Sequence, residues 1–115
     1  MHRTTAIALL SANRLNEIVD RLVKILSPLA IYLFGAQVQG TPHEDSDVDI
    51  LVLVDDAHLA EPDLNERGYR ALRSMFLPIE LHFCGAQRFA DAASVVGSFE
   101  HEVMSKGRLL YADQR

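Results

Sequence analysis

The 115-residue chain is 49% hydrophobic, enough for one sizeable core, so we expect a single domain over residues 1–115. Its 16 acidic and 11 basic residues give a formal net charge of −5, which repels phosphate backbones and argues against direct nucleic-acid binding. A lone cysteine, Cys84, excludes an intramolecular disulfide, and no apolar run approaches the roughly 20 residues that cross a bilayer. We therefore expect a cytoplasmic protein that is not inserted in a membrane.

The first predicted element is an amphipathic helix. Apolar residues recur with helical spacing over residues 15–26, and Asn13 is available as an N-cap. Residues 29–34 are continuously apolar and are followed by Gly35, which favours a buried strand. The polar residues 35–46 then indicate a loop.

The clearest strand signal comes next. Residues 48–54 are rich in β-branched side chains and should form a central strand. Residues 61–65 resemble a loop, and residues 64–76 have loose helical spacing. Residues 77–84 alternate between two faces, which predicts a third strand. One face carries Ile79, Leu81 and Phe83, and the other carries Glu80, His82 and Cys84.

The last quarter of the chain contains shorter signals. Residues 89–96 and 99–104 are typical of short helices, and residues 108–111 indicate a brief strand or an extended tail. Taken in order, these elements predict a sheet covered by helices, of the α/β (α+β) class.

Two carboxylates stand at the start of the predicted central strand. Asp47 and Asp49 are two positions apart, so their side chains emerge on one face with Cα atoms about 7 Å apart. Burying two like charges is costly unless a cation neutralises them, and carboxylate oxygens suit Mg²⁺ or Mn²⁺. Glu80 can supply a third carboxylate if its strand is adjacent. An isolated Asp-x-Asp pair is more often two solvated charges, so this interpretation depends on the neighbouring residues.

The loop before the carboxylates is bounded by glycines. Gly35 permits close approach of the backbone, and the amides of the loop that Gly40 bounds can cradle phosphates. The loop and the paired carboxylates therefore belong together as one candidate site.

These motifs resemble a known signature. Leu-Phe-Gly-Ala at residues 33–36, a ten-residue gap and then Asp47-Val48-Asp49 are similar to the Gly-Ser, gap and Asp-x-Asp pattern of the DNA polymerase beta superfamily. The branch that the chain resembles is the minimal nucleotidyltransferase, or MNT, domain, with likeness up to residues 106–111. The resemblance implies a mixed β-sheet flanked by helices, two Mg²⁺ ions (Mn²⁺ being an alternative), and transfer of AMP from ATP with release of pyrophosphate.

The resemblance also implies roles for individual residues. Asp47 and Asp49 would bind both metal ions and position the triphosphate, while Glu80 would complete the metal site and help deprotonate the attacking hydroxyl. The nucleotide would be contacted by Gly35, Ala36, Gly40 and Ser46. Many MNT domains resemble antitoxins encoded beside a HEPN-domain toxin, which they silence by attaching AMP to a tyrosine. The chain is thus predicted to be a type VII-like antitoxin with a HEPN partner.

Two positions depart from the family pattern. Ala36 replaces the serine after the first glycine, and Gln39 replaces a basic residue before the second. A hydroxyl hydrogen bond to a charged phosphate is worth roughly 1.5 to 3 kcal/mol, or about ten- to a hundredfold in binding. The alternative to an active transferase is therefore an antitoxin of the same fold that neutralises its partner by binding alone.

Three points stay open at the level of sequence. The identity of the nucleotide and of the acceptor is not determined by the motifs. His82 shares the face of Glu80, where it can touch a metal-bound water, although a satisfied strand histidine is the commoner role. An exposed apolar helix face would suit either a homo-oligomer or a partner protein.

Overall fold

The structure, a computed structural model, describes residues 11–39 and 47–114, with only the backbone described at residues 36 and 39. Within these residues, four strands form one sheet in the order β3-β2-β1-β4. The strands are β1 (Ala30–Phe34), β2 (Val48–Val54), β3 (Ile79–Gly85) and β4 (Arg108–Ala112). Strand β1 is antiparallel to β2 and β4, whereas β2 and β3 are parallel. The sheet is therefore mixed, as the resemblance implies.

Helices flank this sheet, which confirms the predicted fold class. The α-helices are α1 (Ala12–Leu26), α2 (Ala36–Gln39), α3 (Asp56–Leu59), α4 (Leu64–Leu72), α5 (Ala86–Ala92) and α6 (Phe99–Lys106). A 3₁₀ turn at Arg73–Met75 follows α4. Parallel strands need a long crossover, and α3, α4 and this turn make up the connection between β2 and β3.

The sheet has a hydrophobic cluster on each face. Helices α1 and α4 cover one face, where Ile18 and Leu22 pack against Ile50 and Val52 of β2. Helices α5 and α6 cover the other face, where Phe89 and Val103 belong to the same buried cluster as Leu51. The sequence of β2 is almost continuously apolar, as is typical of a strand covered on both faces. The strand is accordingly buried along most of its length.

The N-terminal cap of α1 differs from the prediction. Ser11, not Asn13, is the N-cap, and its Oγ accepts a hydrogen bond from the backbone N–H of Arg14 at 3.2 Å. Asn13 lies inside the first turn. Serine and asparagine cap helices almost equally well, so the choice depended on where the chain enters the helix.

Two short helices were not predicted. Helix α2 follows Gly35 in what we expected to be a loop, and the N–H of Val38 donates to the Gly35 carbonyl at 3.1 Å. Helix α3 begins directly after β2, because Asp55 caps it by accepting from the N–H of His58 at 2.8 Å. Four-residue helices are too short to show a periodic pattern.

Helix α5 lies earlier in the chain than expected. It occupies Ala86–Ala92 rather than residues 89–96. The Ser98 hydroxyl donates to the carbonyl of Ala92 at 2.7 Å, and Gly97 takes a left-handed backbone with φ of +94°. These features end the helix and turn the chain into α6.

Over the described residues, no helix is long and apolar enough to cross a membrane.

Candidate metal centre and adjoining cavity

The predicted carboxylates of two strands meet because β2 and β3 are adjacent. The parallel register pairs Asp49 with Glu80, so both side chains leave the same face of the sheet at neighbouring positions. The Asp49 side chain is 25% exposed, while Glu80 is exposed. The predicted adjacency of the two strands is thus present, and Asp49 and Glu80 form one acidic pair at the edge of the sheet.

His82 joins this pair as a third polar group. One ligand atom each of Asp49, Glu80 and His82 lies within 4.8 Å of the others. Nε2 of His82 is 3.7 Å from Oδ1 of Asp49, which is too long for a hydrogen bond. That nitrogen is buried, and among the described residues it has no hydrogen-bond partner. Buried polar atoms are nearly always satisfied, so the orphaned nitrogen indicates that this group fits a metal ion.

Gly35 approaches the same carboxylate from the other side. Strand β1 pairs Phe34 with Asp49, and the next residue, Gly35, has a φ of +78°. A Cβ atom built at Gly35 would lie 2.6 Å from Oδ2 of Asp49. Glycine is therefore needed here both for the backbone conformation and for the space that the carboxylate occupies.

The surroundings of Asp49 oppose its ionisation. Burial raises the pKa of the Asp49 carboxyl, His82 counteracts that shift, and the negative charges of Glu80 and Asp47 add to it. A carboxylate whose charge is disfavoured by desolvation and by neighbouring carboxylates gains most from a bound cation.

Asp47 occupies a more peripheral position than Asp49. It directly precedes β2 and is exposed, and it lies close enough to raise the pKa of Asp49. The group of three ligand atoms within 4.8 Å contains Asp49 but not Asp47. A role for Asp47 in metal binding stays a prediction.

The other predicted nucleotide contacts are described only in part. Gly35 lies against Asp49, and the backbone of Ala36 begins α2 directly after it. Gly40 and Ser46 lie outside the described residues, as does the rest of the predicted phosphate loop between them.

Aromatic rings hold the histidine in place. The ring of His82 lies 5.2 Å from that of Phe34 and 5.7 Å from that of Phe99. Phe34 and Phe99 also contact each other edge to face, with ring centroids 5.2 Å apart. The sequence offered one signal for His82, because it follows Glu80 by two positions on a strand and so shares its face.

A cavity of about 220 Å³ opens beside this aromatic group. Its wall combines apolar and charged side chains with two glycines: Phe34, Gly35, Phe99, Glu102, Val103, Lys106 and Gly107. Lys106 Nζ lies 3.2 Å from Oε1 of Glu102. Phe34 contacts His82 and Gly35 lies against Asp49, and both line the cavity. The cavity therefore adjoins the acidic pair.

Comparison with known proteins identifies a family and a fold that this chain shares. Residues 16–115 match the family described as polymerase beta, nucleotidyltransferase. A chain from the crystal structure of a toxin–antitoxin with AMP-PNP has a TM-score of 0.52 at 23% identity, covering 87% of this chain and 74% of that one. A chain from a mutant toxin–antitoxin MntA–HpeT structure has a TM-score of 0.57 at 21% identity, with the same coverage. These likenesses show a shared fold. No curated protein gives a significant match.

Proposed function

Because the chain belongs to the polymerase beta nucleotidyltransferase family, we propose that it transfers AMP from ATP to a hydroxyl group of a partner protein. The proposed acceptor is a tyrosine of a HEPN-domain toxin, which makes the chain a cytoplasmic, type VII-like antitoxin. We propose that residues 1–115 act as one domain in this role.

A single observation carries the proposal. Asp49 and Glu80 are paired on neighbouring strands, and the backbone of Gly35 lies close to the Asp49 carboxylate. A nucleotidyltransferase needs carboxylates for divalent ions beside a backbone that can approach phosphate closely. Asp47 fits the same role, because its negative charge acts on Asp49.

The transfer step can be written with these groups. The acceptor oxygen forms a bond to the α-phosphorus of ATP, and the bond from that phosphorus to the oxygen bridging it to the β-phosphorus breaks. Pyrophosphate leaves with the electron pair, and the proposed acceptor for the hydroxyl proton is Glu80, whose exposed side chain a substrate can reach. Divalent ions at this site would stabilise charge on the phosphoryl oxygens and lower the pKa of the attacking hydroxyl.

The proposed place for the nucleoside is the cavity beside Gly35. Its volume is smaller than that of pockets for drug-sized ligands, about 300 Å³ or more, so it suits a part of a nucleotide such as the base. Phe34 and Phe99 offer aromatic surface, and Glu102 and Lys106 offer hydrogen-bonding groups at its wall. One toxin–antitoxin structure that shares the fold contains AMP-PNP, which supports ATP as the nucleotide.

The proposed partner follows from the same likeness. Both similar structures are toxin–antitoxins. A toxin partner is also consistent with the net charge of −5, which disfavours nucleic acid as the acceptor.

The test is a labelling reaction. Purified protein is incubated with α-³²P-labelled ATP, Mg²⁺ and a candidate HEPN-domain partner, beside an Asp49→Asn variant. A matched control is Asp20→Asn, which removes an exposed carboxylate from α1. We expect metal-dependent label on the partner with the wild type and with Asp20→Asn, and none with Asp49→Asn. Equal labelling by all three proteins would refute the assignment of the site.

The second candidate function is neutralisation by binding alone. It is favoured by one observation, that alanine stands at position 36 where the family has serine. In this case the partner would be inhibited without being labelled, and Asp49→Asn would inhibit as well as the wild type. An active transferase predicts instead that Asp49→Asn loses inhibition together with label transfer.

A further inference from the structure

The Nε2 atom of His82 lies close to the acidic pair of Asp49 and Glu80. The register places His82 two residue pairs beyond Glu80, opposite Leu51 of β2, so His82 lies deeper in the sheet than the carboxylates. The whole side chain is 32% exposed, but Nε2 itself is buried and has no hydrogen-bond partner in the part of the chain that the structure describes. Leaving such an atom unsatisfied is unfavourable, and a ligand bound at this nitrogen would offset that cost.

The spacing of the three groups suits a shared ion. Two ligands that each lie about 2.1 Å from one ion are about 3.4 Å apart in tetrahedral geometry and about 4.2 Å apart when opposite. The distance of 3.7 Å between Nε2 of His82 and Oδ1 of Asp49 falls between these values. Glu80 is exposed, so its carboxylate can turn to close the remaining separation, which is at most 4.8 Å.

The packing around the site fixes two of the three ligands. The rings of Phe34 and Phe99 hold the imidazole. Gly35 lies against Oδ2 of Asp49, which leaves Oδ1 as the oxygen nearest to His82. A preorganised nitrogen and oxygen therefore face one point from two neighbouring strands.

A site with two carboxylates and one imidazole has a different metal preference from a site with three carboxylates. Mg²⁺ takes oxygen ligands and rarely nitrogen, whereas imidazole favours transition ions, whose affinities rise from Mn²⁺ through Co²⁺ and Ni²⁺. We propose that His82 is a metal ligand of this site and that it makes the site bind Co²⁺ and Mn²⁺ in preference to Mg²⁺. This inference rests on the proposed function, because it concerns the metal of the same site.

The test measures metal binding rather than turnover. Co²⁺ and Mg²⁺ affinities are determined by calorimetry for the wild type and for His82→Gln. The control is His58→Gln, because Nε2 of His58 lies 3.7 Å from a carboxylate oxygen of Glu61. This nitrogen-to-oxygen distance equals that between His82 and Asp49. His58 lies on α3 and Glu61 follows that helix, so the control pair lies beyond the opposite end of β2.

We expect His82→Gln to weaken Co²⁺ binding by about tenfold or more and Mg²⁺ binding by no more than about twofold, since Mg²⁺ keeps its oxygen ligands. His58→Gln should bind both ions like the wild type. Unchanged Co²⁺ affinity in His82→Gln, or equal losses for both ions, would overturn the proposal.

A spectroscopic readout separates a ligand from a residue that only positions Asp49. Electron spin echo spectra of the Mn²⁺-loaded wild type should show coupling to an imidazole nitrogen, and the coupling should be absent from His82→Gln. Where that variant does not fold, His82→Asn replaces it. Absence of nitrogen coupling in the wild type, or its persistence in the variant, would overturn the proposal.

The two hypotheses fail separately. Nitrogen coupling that depends on His82 in a protein without transfer activity would uphold the ligand and refute the transferase. Label transfer by the wild type, with Co²⁺ affinity unaffected by His82→Gln, would uphold the transferase and refute His82 as a metal ligand.

Discussion

Replacing Gly35 with alanine tests whether the backbone beside Asp49 controls the site. The new Cβ would lie 2.6 Å from Oδ2 of Asp49, and the ordinary contact distance is about 3.5 Å, so the carboxylate has to move by roughly 0.9 Å. A displacement of about 1 Å at reacting groups can reduce a rate by about 100-fold. Gly35→Ala should therefore lose about two orders of magnitude in label transfer.

The same substitution also strains the backbone. A non-glycine residue in the left-handed region costs about 1 to 2 kcal/mol, which lowers the melting temperature of a domain of this size by about 4 to 8 °C. The matched control is Gly97→Ala, because Gly97 has a φ of +94° and a Cβ there would have no atom of a described, non-adjacent residue within 4 Å. Both variants should lose similar stability.

Only one of the two variants should lose function. Thermal unfolding measures the strain, while calorimetric titration with Mn²⁺ and the labelling assay measure the displacement of Asp49. We expect Gly97→Ala to keep wild-type metal affinity and transfer, and Gly35→Ala to lose both. If Gly35→Ala bound Mn²⁺ and transferred label like Gly97→Ala, the contact with Asp49 would not control the site, and this reasoning would be refuted.

Three further predictions concern single side chains. The pKa of Asp49 is raised in the fold, so the folded state binds its proton more tightly than the unfolded state does, and stability falls as pH rises through the raised pKa. In metal-free buffer at neutral pH, Asp49→Asn should thus melt at a higher temperature than the wild type; an equal or lower temperature contradicts this. Phe99→Ala removes an aromatic wall of the cavity and should weaken ATP binding in a fluorescence titration, whereas Met104→Ala on the same helix, outside the cavity wall, should not. Tyr69→Phe removes the hydroxyl that accepts the Leu81 N–H at 2.8 Å and should lower the free energy of unfolding in urea by about 0.5 to 1.5 kcal/mol; no change would mean that water replaces the hydroxyl.

Several elements were predictable because their signals are local. The apolar run of β2 and the alternation of β3 identify buried strands without knowledge of their partners. The spacing of Asp47, Asp49 and Glu80 in the sequence likewise marks a candidate site, since side-chain direction repeats every two residues along a strand.

Other features were decided by tertiary structure. The parallel pairing of β3 with β2, in the register that sets Asp49 beside Glu80, could not be predicted from the sequence. Register depends on how two distant segments pack. Three features follow from that packing: Asp47 is exposed, Gly35 contacts a carboxylate, and the His82 nitrogen has no hydrogen-bond partner within residues 11–39 and 47–114. The sequence by itself therefore identified which residues are candidates for the site. Only the fold decided which of them meet, because the distances between atoms on different strands are set by long-range contacts.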